Sequence, residues 1–181
     1  MQESDFQIIK NFGPSILKTK IPDDVLNKIN FYIDEIAENE EKIKELDHGS
    51  KLVGDVTQEF KLEKKIVEES GWLNFLANCT GEWIQRETKK TITKFSMKGS
   101  WVVRQFKNEY NPIHWHAGHV SGAGFLKIPK DFGKHVQNKN QNYSGGSLEL
   151  IHGSRQFLSS STFEIKPEAG DFYFFPSYTM H

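Results

Sequence analysis

The chain has 181 residues, of which 36% are hydrophobic and 26% charged, which is enough apolar material for one globular core. Its formal net charge of -1 gives no strong signal for nucleic acid or an anionic membrane, and no run of about 18 apolar residues predicts a membrane helix. The single cysteine, Cys79, excludes an internal disulfide, and the N-terminus has no apolar leader, so the expected location is the cytoplasm.

The first half of the chain is predicted to be mostly helical. After Pro22 and two acidic residues, apolar side chains recur at helical spacing, which predicts one amphipathic helix over residues 22–46. A second helix is predicted over residues 63–87, where Gly71 and Gly81 are the weak points.

The second half is predicted to be rich in β-strands. Aromatic and β-branched residues cluster there in short runs that end at glycine, proline or serine. The runs are TITKFSMKGSWVVRQF (91–106), GAGFLKIP (122–129), SLELIHG (147–153), STFEIKP (161–167) and DFYFFPS (171–177). Residues 130–146 form a polar loop between them. This pattern predicts a small barrel or sandwich within a single domain, 1–181, supported by the N-terminal helices.

The stretch NPIHWHAGH holds three of the seven histidines in the chain. Side chains alternate along a strand, so His114 and His116 are expected on one side of it and Trp115 on the other. Two imidazoles on one face can bind one metal ion, and His181 on a later strand can complete a facial set of three ligands with open coordination positions. The simpler interpretation is that these are hydrogen-bonded surface histidines.

Three segments of the second half resemble one enzyme superfamily when they are taken in order. They are SWVVRQFKNEYNPIHWHAGHVSGAGFLKIP, GGSLELIHG and FEIKPEAGDFYFFPSYTMH. Together they resemble the iron(II)/2-oxoglutarate-dependent dioxygenases, in particular a small branch that is common in bacterial and viral genomes. The resemblance covers residues 99–181, and residues 51–62 fit more weakly the segment that precedes this core.

The resemblance implies a fold and a set of roles. The fold would be α+β with a mainly β core, a double-stranded β-helix (jelly roll) over residues 91–181, and helical support over 1–90. The metal would be Fe(II), held by His114, His116 and His181, and 2-oxoglutarate would be the cosubstrate. The implied reaction hydroxylates a small-molecule or peptide substrate and releases succinate and CO2.

Three departures from the superfamily pattern bear on the site. His116 stands where the superfamily usually has a carboxylate, so the ligand set would be three histidines, and His119 is an alternative to one of the first two. The strand with an arginine for the distal carboxylate of 2-oxoglutarate is not among these residues, so the core is expected to lack its last strand. Phe125 stands where many members have a tyrosine that binds the same carboxylate.

Other residues could then bind the cosubstrate. Lys127, two positions after Phe125, is one candidate, and Tyr110 and Arg104 are two more. Each also has a plain structural interpretation, as an exposed strand-end lysine, a packing tyrosine and an exposed strand arginine.

Two other functions remain open from the sequence. Three histidines with an open position are also a zinc pattern, which would suit a hydrolase that activates water. The second of these functions is that of a jelly-roll binding module without catalytic activity. The absence of the arginine strand from these residues would favour it. The sequence predicts neither the substrate nor the oligomeric state.

Overall fold

The computed structural model describes residues 6–9, 13–133 and 145–181. It divides into two units, one formed by Met1–Lys20 with Trp115–His181 and the other by Ile21–His114. We call them the C-terminal unit and the helical unit. Within the described ranges, no helix has the length and apolar character needed to cross a membrane.

The helical unit begins with two helices where the spacing of apolar residues predicts one. Helix α1 spans Asp23–Ala37 and helix α2 spans Glu40–Leu46. The break occurs at Asn39, whose side-chain oxygen accepts hydrogen bonds from the backbone N–H groups of Glu41 (3.0 Å) and Lys42 (3.1 Å). An asparagine in this N-cap position starts a new helix, because it satisfies N–H groups that have no partner within the helix.

The second predicted helix is also divided, at one of its two glycines. Helix α3 spans Lys64–Glu69 and helix α4 spans Trp72–Thr88. Gly71 between them has φ +89°, a left-handed conformation that side chains disfavour, whereas Gly81 lies inside a continuous α4. Helix α4 buries one face, which consists of Trp72, Phe75, Cys79, Thr80 and Trp83.

A short antiparallel pair of strands completes the helical unit. Strand β3 (Gln58–Lys61) pairs with β4 (Trp101–Arg104). The prediction of a further strand before β4 is wrong, since residues 91–100 contain no strand. Alternating side chains favour a strand, but they do not form one without a partner to accept its backbone hydrogen bonds.

Among its described residues, the C-terminal unit contains a four-stranded sheet and a hairpin, and the strand pairings there are antiparallel. The sheet has the order β1-β2-β8-β5. Its strands are β1 Gln7–Ile9, β2 Ile16–Lys20, β5 Val120–Gly124 and β8 Asp171–Pro176. The hairpin consists of β6 Leu148–Ile151 and β7 Thr162–Ile165. The sequence predicted strands at β5 to β8 but not at β1 and β2.

The core of this unit is built from both the sheet and the hairpin. Its buried members are Ile16, Leu150, Ile165, Tyr173 and Phe175. The predicted combination of helices with mostly antiparallel β structure is therefore confirmed. Most of the predicted polar loop, residues 134–144, lies outside the described residues.

Candidate metal centre

Three histidines are brought together as the spacing predicts. His114, His116 and His181 each offer one ring nitrogen, and these three atoms all lie within 4.8 Å of one another. All three side chains are half-buried. The rings of His116 and His181 have centroids 5.0 Å apart and planes inclined by 52°. Ring nitrogens this close together could hold a single metal ion.

Backbone carbonyl groups fix the tautomer of two of these imidazoles. Nδ1 of His114 lies 2.7 Å from the carbonyl oxygen of Pro112, and Nδ1 of His181 lies 2.9 Å from that of Thr179. A carbonyl oxygen only accepts, so Nδ1 carries the proton in both rings and Nε2 presents a lone pair. Metal-binding histidines in proteins commonly donate their other N–H in this way.

The His-Trp-His motif lies just before β5, in backbone that is not part of a regular strand. Its side chains nevertheless alternate as predicted. Ile113 and Trp115 are 61% and 63% exposed, while His114 and His116 are half-buried. The strand itself is a prediction that the structure corrects, because β5 begins only at Val120.

Ser177, immediately after β8, forms hydrogen bonds with the segment from His116 to His119. The backbone N–H of His116 donates to the carbonyl of Ser177 (3.0 Å), whose own N–H donates to the carbonyl of His119 (3.2 Å). The Ser177 hydroxyl donates to the carbonyl of Gly118 (2.6 Å). Three hydrogen bonds to one residue therefore position the segment that follows His116.

His181 reaches the cluster through a turn that follows β8. The backbone N–H of Thr179 donates to the carbonyl of Pro176 (2.9 Å), and the carbonyl of Met180 then accepts from the N–H of Ile151 in β6 (2.8 Å). The ring of Phe175 packs edge-on against the ring of His181, with centroids 4.8 Å apart. Phe175 of β8 and strand β6 of the hairpin thus both constrain the segment that carries the third imidazole.

His119, the alternative ligand, has a different environment. Its side chain is exposed, and in the described part of the chain it does not belong to the group of clustered histidines. This geometry favours the set of His114, His116 and His181 over a set that includes His119.

Lys127, the first cosubstrate candidate, lies beyond the end of β5 at Gly124. Phe125 still pairs with the neighbouring chain, since its N–H donates to the carbonyl of Asp171 (3.0 Å), and its ring packs against the core of the C-terminal unit. The chain bends at residue 126, so strand alternation does not extend to Lys127, whose side chain is exposed. Phe125 and Lys127 therefore do not lie on one face of a continuous strand.

Arg104 and Tyr110, the other two candidates, belong to the helical unit. The Arg104 guanidinium donates to the side-chain oxygen of Gln58 on β3 (2.5 Å) and lies 5.5 Å from the centroid of the Phe106 ring. Tyr110 is 56% exposed, and its backbone forms a bridge with Asp55. The Arg104 guanidinium therefore has partners within the helical unit, and the Tyr110 side chain is in contact with solvent.

Two residues of the centre were not singled out from the sequence. Ser177 carries the hydrogen bonds that hold the motif, and its only sequence signal is its place after Phe175 and Pro176 in the FPS segment. Thr179 contributes the carbonyl that orients His181, and its own buried hydroxyl has no hydrogen-bond partner among the described residues. A backbone carbonyl leaves no trace in the residue type, so that role was not predictable.

Comparison with known families agrees with this geometry. Residues 99–181, a little under half of the chain, match the model of the family described as "Putative 2OG-Fe(II) oxygenase". All three clustered histidines fall within the matched segment. The resemblance drawn from the motifs is confirmed, as are the dioxygenase class and its cofactors, Fe(II) and 2-oxoglutarate. Comparisons with curated proteins and with solved structures found no match to the chain.

Proposed function

We propose that this 2-oxoglutarate/Fe(II)-dependent dioxygenase hydroxylates a small-molecule or peptide substrate and releases succinate and CO2, with His114, His116 and His181 as its metal ligands. The observation that carries the proposal is the approach of three imidazole nitrogens to within 4.8 Å of one another inside the family segment. Imidazole is a suitable ligand for iron, and a facial set leaves positions for cosubstrate and O2.

The donor set fits one ion. Nitrogen ligands about 2.1 Å from a metal lie about 3 Å apart when adjacent and about 4 Å apart when opposite. The observed spread of up to 4.8 Å is wider than this, so the side chains would rotate to bring all three nitrogens onto one ion. Once bound, the iron and 2-oxoglutarate together supply the oxidative chemistry, which belongs to the cofactors rather than to the protein.

The contribution of the chain is to hold the ligands in a reactive state. The carbonyl groups of Pro112 and Thr179 accept hydrogen bonds from Nδ1 of His114 and His181, which orients the rings and leaves Nε2 as the nitrogen available to a metal. The backbone pairing of His116 with Ser177 sets the position of the third ring. Ligands that already lie close together leave only part of their ordering to be completed when the metal binds.

Several residues are candidates for binding 2-oxoglutarate. Lys127, Tyr110 and Arg104 remain proposals from the sequence, and Thr179 joins them. The Thr179 hydroxyl is buried, has no partner among the described residues, and lines a small cavity with Leu150 and Phe163. A buried hydroxyl without a partner is costly, and a carboxylate that accepts its hydrogen bond would remove that cost.

We also propose that the β-rich part of the chain is a jelly roll within a single domain and that the enzyme acts in the cytoplasm. The antiparallel pairing of the sheet and hairpin, with a core shared between them, supports the first statement. The single buried cysteine is compatible with the second.

The test is turnover of 2-oxoglutarate by the full chain together with its iron content. The wild-type protein, loaded with Fe(II) under anaerobic conditions, should convert 2-oxoglutarate to succinate when O2 is admitted. His116→Ala and His181→Ala should lower Fe(II) affinity by at least about 100-fold, because even changes outside the ligand shell cost about 10–100-fold.

His119→Ala is the matched control. It removes an exposed imidazole from the same motif and should leave iron content and turnover unchanged. Equal iron loss in His119→Ala and His116→Ala would reject the ligand assignment. A protein that retains Zn²⁺ in preference to Fe(II) and forms no succinate would instead indicate the three-histidine hydrolase.

A further inference from the structure

Glu59 in the helical unit is a buried acid that the oxygenase site does not use. It lies in β3, its side chain is only 2% exposed, and neither carboxylate oxygen has a hydrogen-bond partner among the described residues. Burying a carboxylate without a partner is expensive, and the usual remedies are a bound proton or a cation.

Three segments of backbone converge on this side chain. The first is joined to β3 by a bridge between Asp47 and Phe60 and by the hydrogen bond from the N–H of His48 to the carbonyl of Glu59 (2.8 Å). The second and third, at Asp55 and Tyr110, pair with each other through a further bridge. Asp47 therefore lies beside β3, and the chain reaches residue 111 directly after the second bridge.

Two glycines show how closely oxygen atoms surround the carboxylate. A Cβ on Gly49 would lie 3.3 Å from Asp47 Oδ1 and 3.3 Å from Glu59 Oε2. A Cβ on Gly54 would lie 3.0 Å from Glu59 Oε1 and would collide with Asn111 Oδ1. An Asp47 carboxylate oxygen and a Glu59 oxygen therefore both adjoin Gly49, and an Asn111 amide oxygen and the other Glu59 oxygen both adjoin Gly54. All of these oxygens are acceptors.

We propose that Glu59, Asp47 and Asn111 form a second cation site, for a hard divalent ion of the Ca²⁺ type. Ca²⁺ takes six to eight oxygen ligands from carboxylates, amide and backbone carbonyls and water, at about 2.3–2.6 Å. Glu59 supplies two oxygens, and Asp47, whose side chain is exposed, can rotate toward them and admit water. This site contains no imidazole, which separates it from the iron ligands.

The surroundings of the Glu59 side chain disfavour its negative charge, which a bound cation would stabilise. Burial, followed by the nearby charge of Asp47, raises the pKa of Glu59 above its ordinary value. A bound cation would offset both effects. It would tie residues 47, 59 and 111 together, and residue 111 lies three positions before His114.

The experiment is a Ca²⁺ titration of the full chain after removal of metals with EDTA. At about 100 times Kd, Ca²⁺ should raise the Tm of the wild-type protein by about 5 °C or more, and Mg²⁺ should act more weakly. Glu59→Gln should abolish the shift, whereas Glu69→Gln, an exposed acid of the same unit, should retain it. His181→Ala should also retain it, which separates this result from the iron assay.

The proposal is rejected if neither cation changes the Tm of the wild-type protein. It is also rejected if Glu59→Gln shows the same shift as the wild type. If Ca²⁺ has no effect on the wild type and Glu59→Gln raises the Tm without added metal, Glu59 is a neutral buried acid. If Glu59→Gln fails to fold, Asp47→Asn serves instead. It should weaken Ca²⁺ binding at least about tenfold, and unchanged binding would reject the site.

Discussion

Replacement of Asp171 by asparagine tests whether an ion-pair cluster fixes the start of β8, the strand that leads to His181. Asp171 is fully buried and opposes Lys20 of β2 in the sheet. Lys18 Nζ lies 2.8 Å from Asp171 Oδ2, and Lys20 Nζ contacts Oδ1. The two lysine side chains remain 28% and 52% exposed.

The expected loss follows from this unequal burial. Removing one partner of a fully buried ion pair costs about 3–5 kcal/mol, because the other charge is left away from water. Here both ammonium groups can turn toward solvent, and the asparagine oxygen still accepts a hydrogen bond. We therefore expect Asp171→Asn to lower the free energy of unfolding by about 1.5–2.5 kcal/mol. For a chain of this length, that lowers the Tm by about 3–10 °C.

The effect should depend on pH in one direction. Burial alone would raise the pKa of Asp171, but hydrogen bonds from Lys18 and Lys20 outweigh burial and hold the pKa below its ordinary value. A carboxyl with a lowered pKa in the folded state stabilises the protein above its unfolded pKa of about 3.9, and this is lost as pH falls through the folded pKa. The difference between wild type and Asp171→Asn should therefore be full near neutral pH and shrink below about pH 4.

Urea and thermal unfolding at several pH values measure this difference in the free energy of unfolding. Asp24→Asn is the matched control, since Asp24 is 70% exposed and pairs with Lys28 at 3.7 Å along one helix. It should change stability by less than about 0.5 kcal/mol. A loss below that value for Asp171→Asn, or a loss that is constant down to acid pH, would refute the account of the cluster.

Four further changes have defined outcomes. His116→Asp should retain Fe(II) more tightly than the wild type, because a carboxylate adds the negative charge that three imidazoles lack, and equal dissociation constants would contradict this. Ser177→Ala should lower the free energy of unfolding by about 1 kcal/mol and weaken Fe(II) retention, measured by urea unfolding and iron titration, since it removes a 2.6 Å hydrogen bond. Thr179→Val should raise KM for 2-oxoglutarate while Thr179→Ser restores it, and equal KM values would exclude the hydroxyl as a contact. Burial raises the pKa of Cys79 to about 12, so a thiol reagent should label it only when the protein unfolds, and rapid labelling of the folded protein would contradict its burial.

The sequence predicted the candidate metal centre better than the backbone that carries it. Three imidazoles could be assigned because alternation and the family pattern both concern residue types at fixed spacing. The strand expected at His114 and His116 did not form, yet the alternation did, since extended backbone alternates its side chains without a regular ladder.

The errors in the fold have a common physical cause. Strands β1 and β2 were missed and a strand at residues 91–98 was wrongly expected, because a short strand depends on partners distant in sequence. The helix break at Asn39 could have been predicted, because an N-cap residue followed by two acids is a signal for a helix start. The burial of Glu59 could not have been predicted, because strand alternation would expose either Glu59 or Phe60 and both are buried.

Two of the proposed ligands, His114 and His181, are oriented by the same kind of local contact. In both, Nδ1 is bonded to the carbonyl two residues earlier, that of Pro112 for His114 and that of Thr179 for His181. Each ring is thus oriented by a contact within its own segment. His116 depends instead on its backbone pairing with Ser177, which comes from the other end of the family segment. The pairing of residues 116 and 177 therefore joins two segments of the proposed centre, and substitutions at that pairing should affect metal binding more than equally destabilising changes in helix α1 or helix α4.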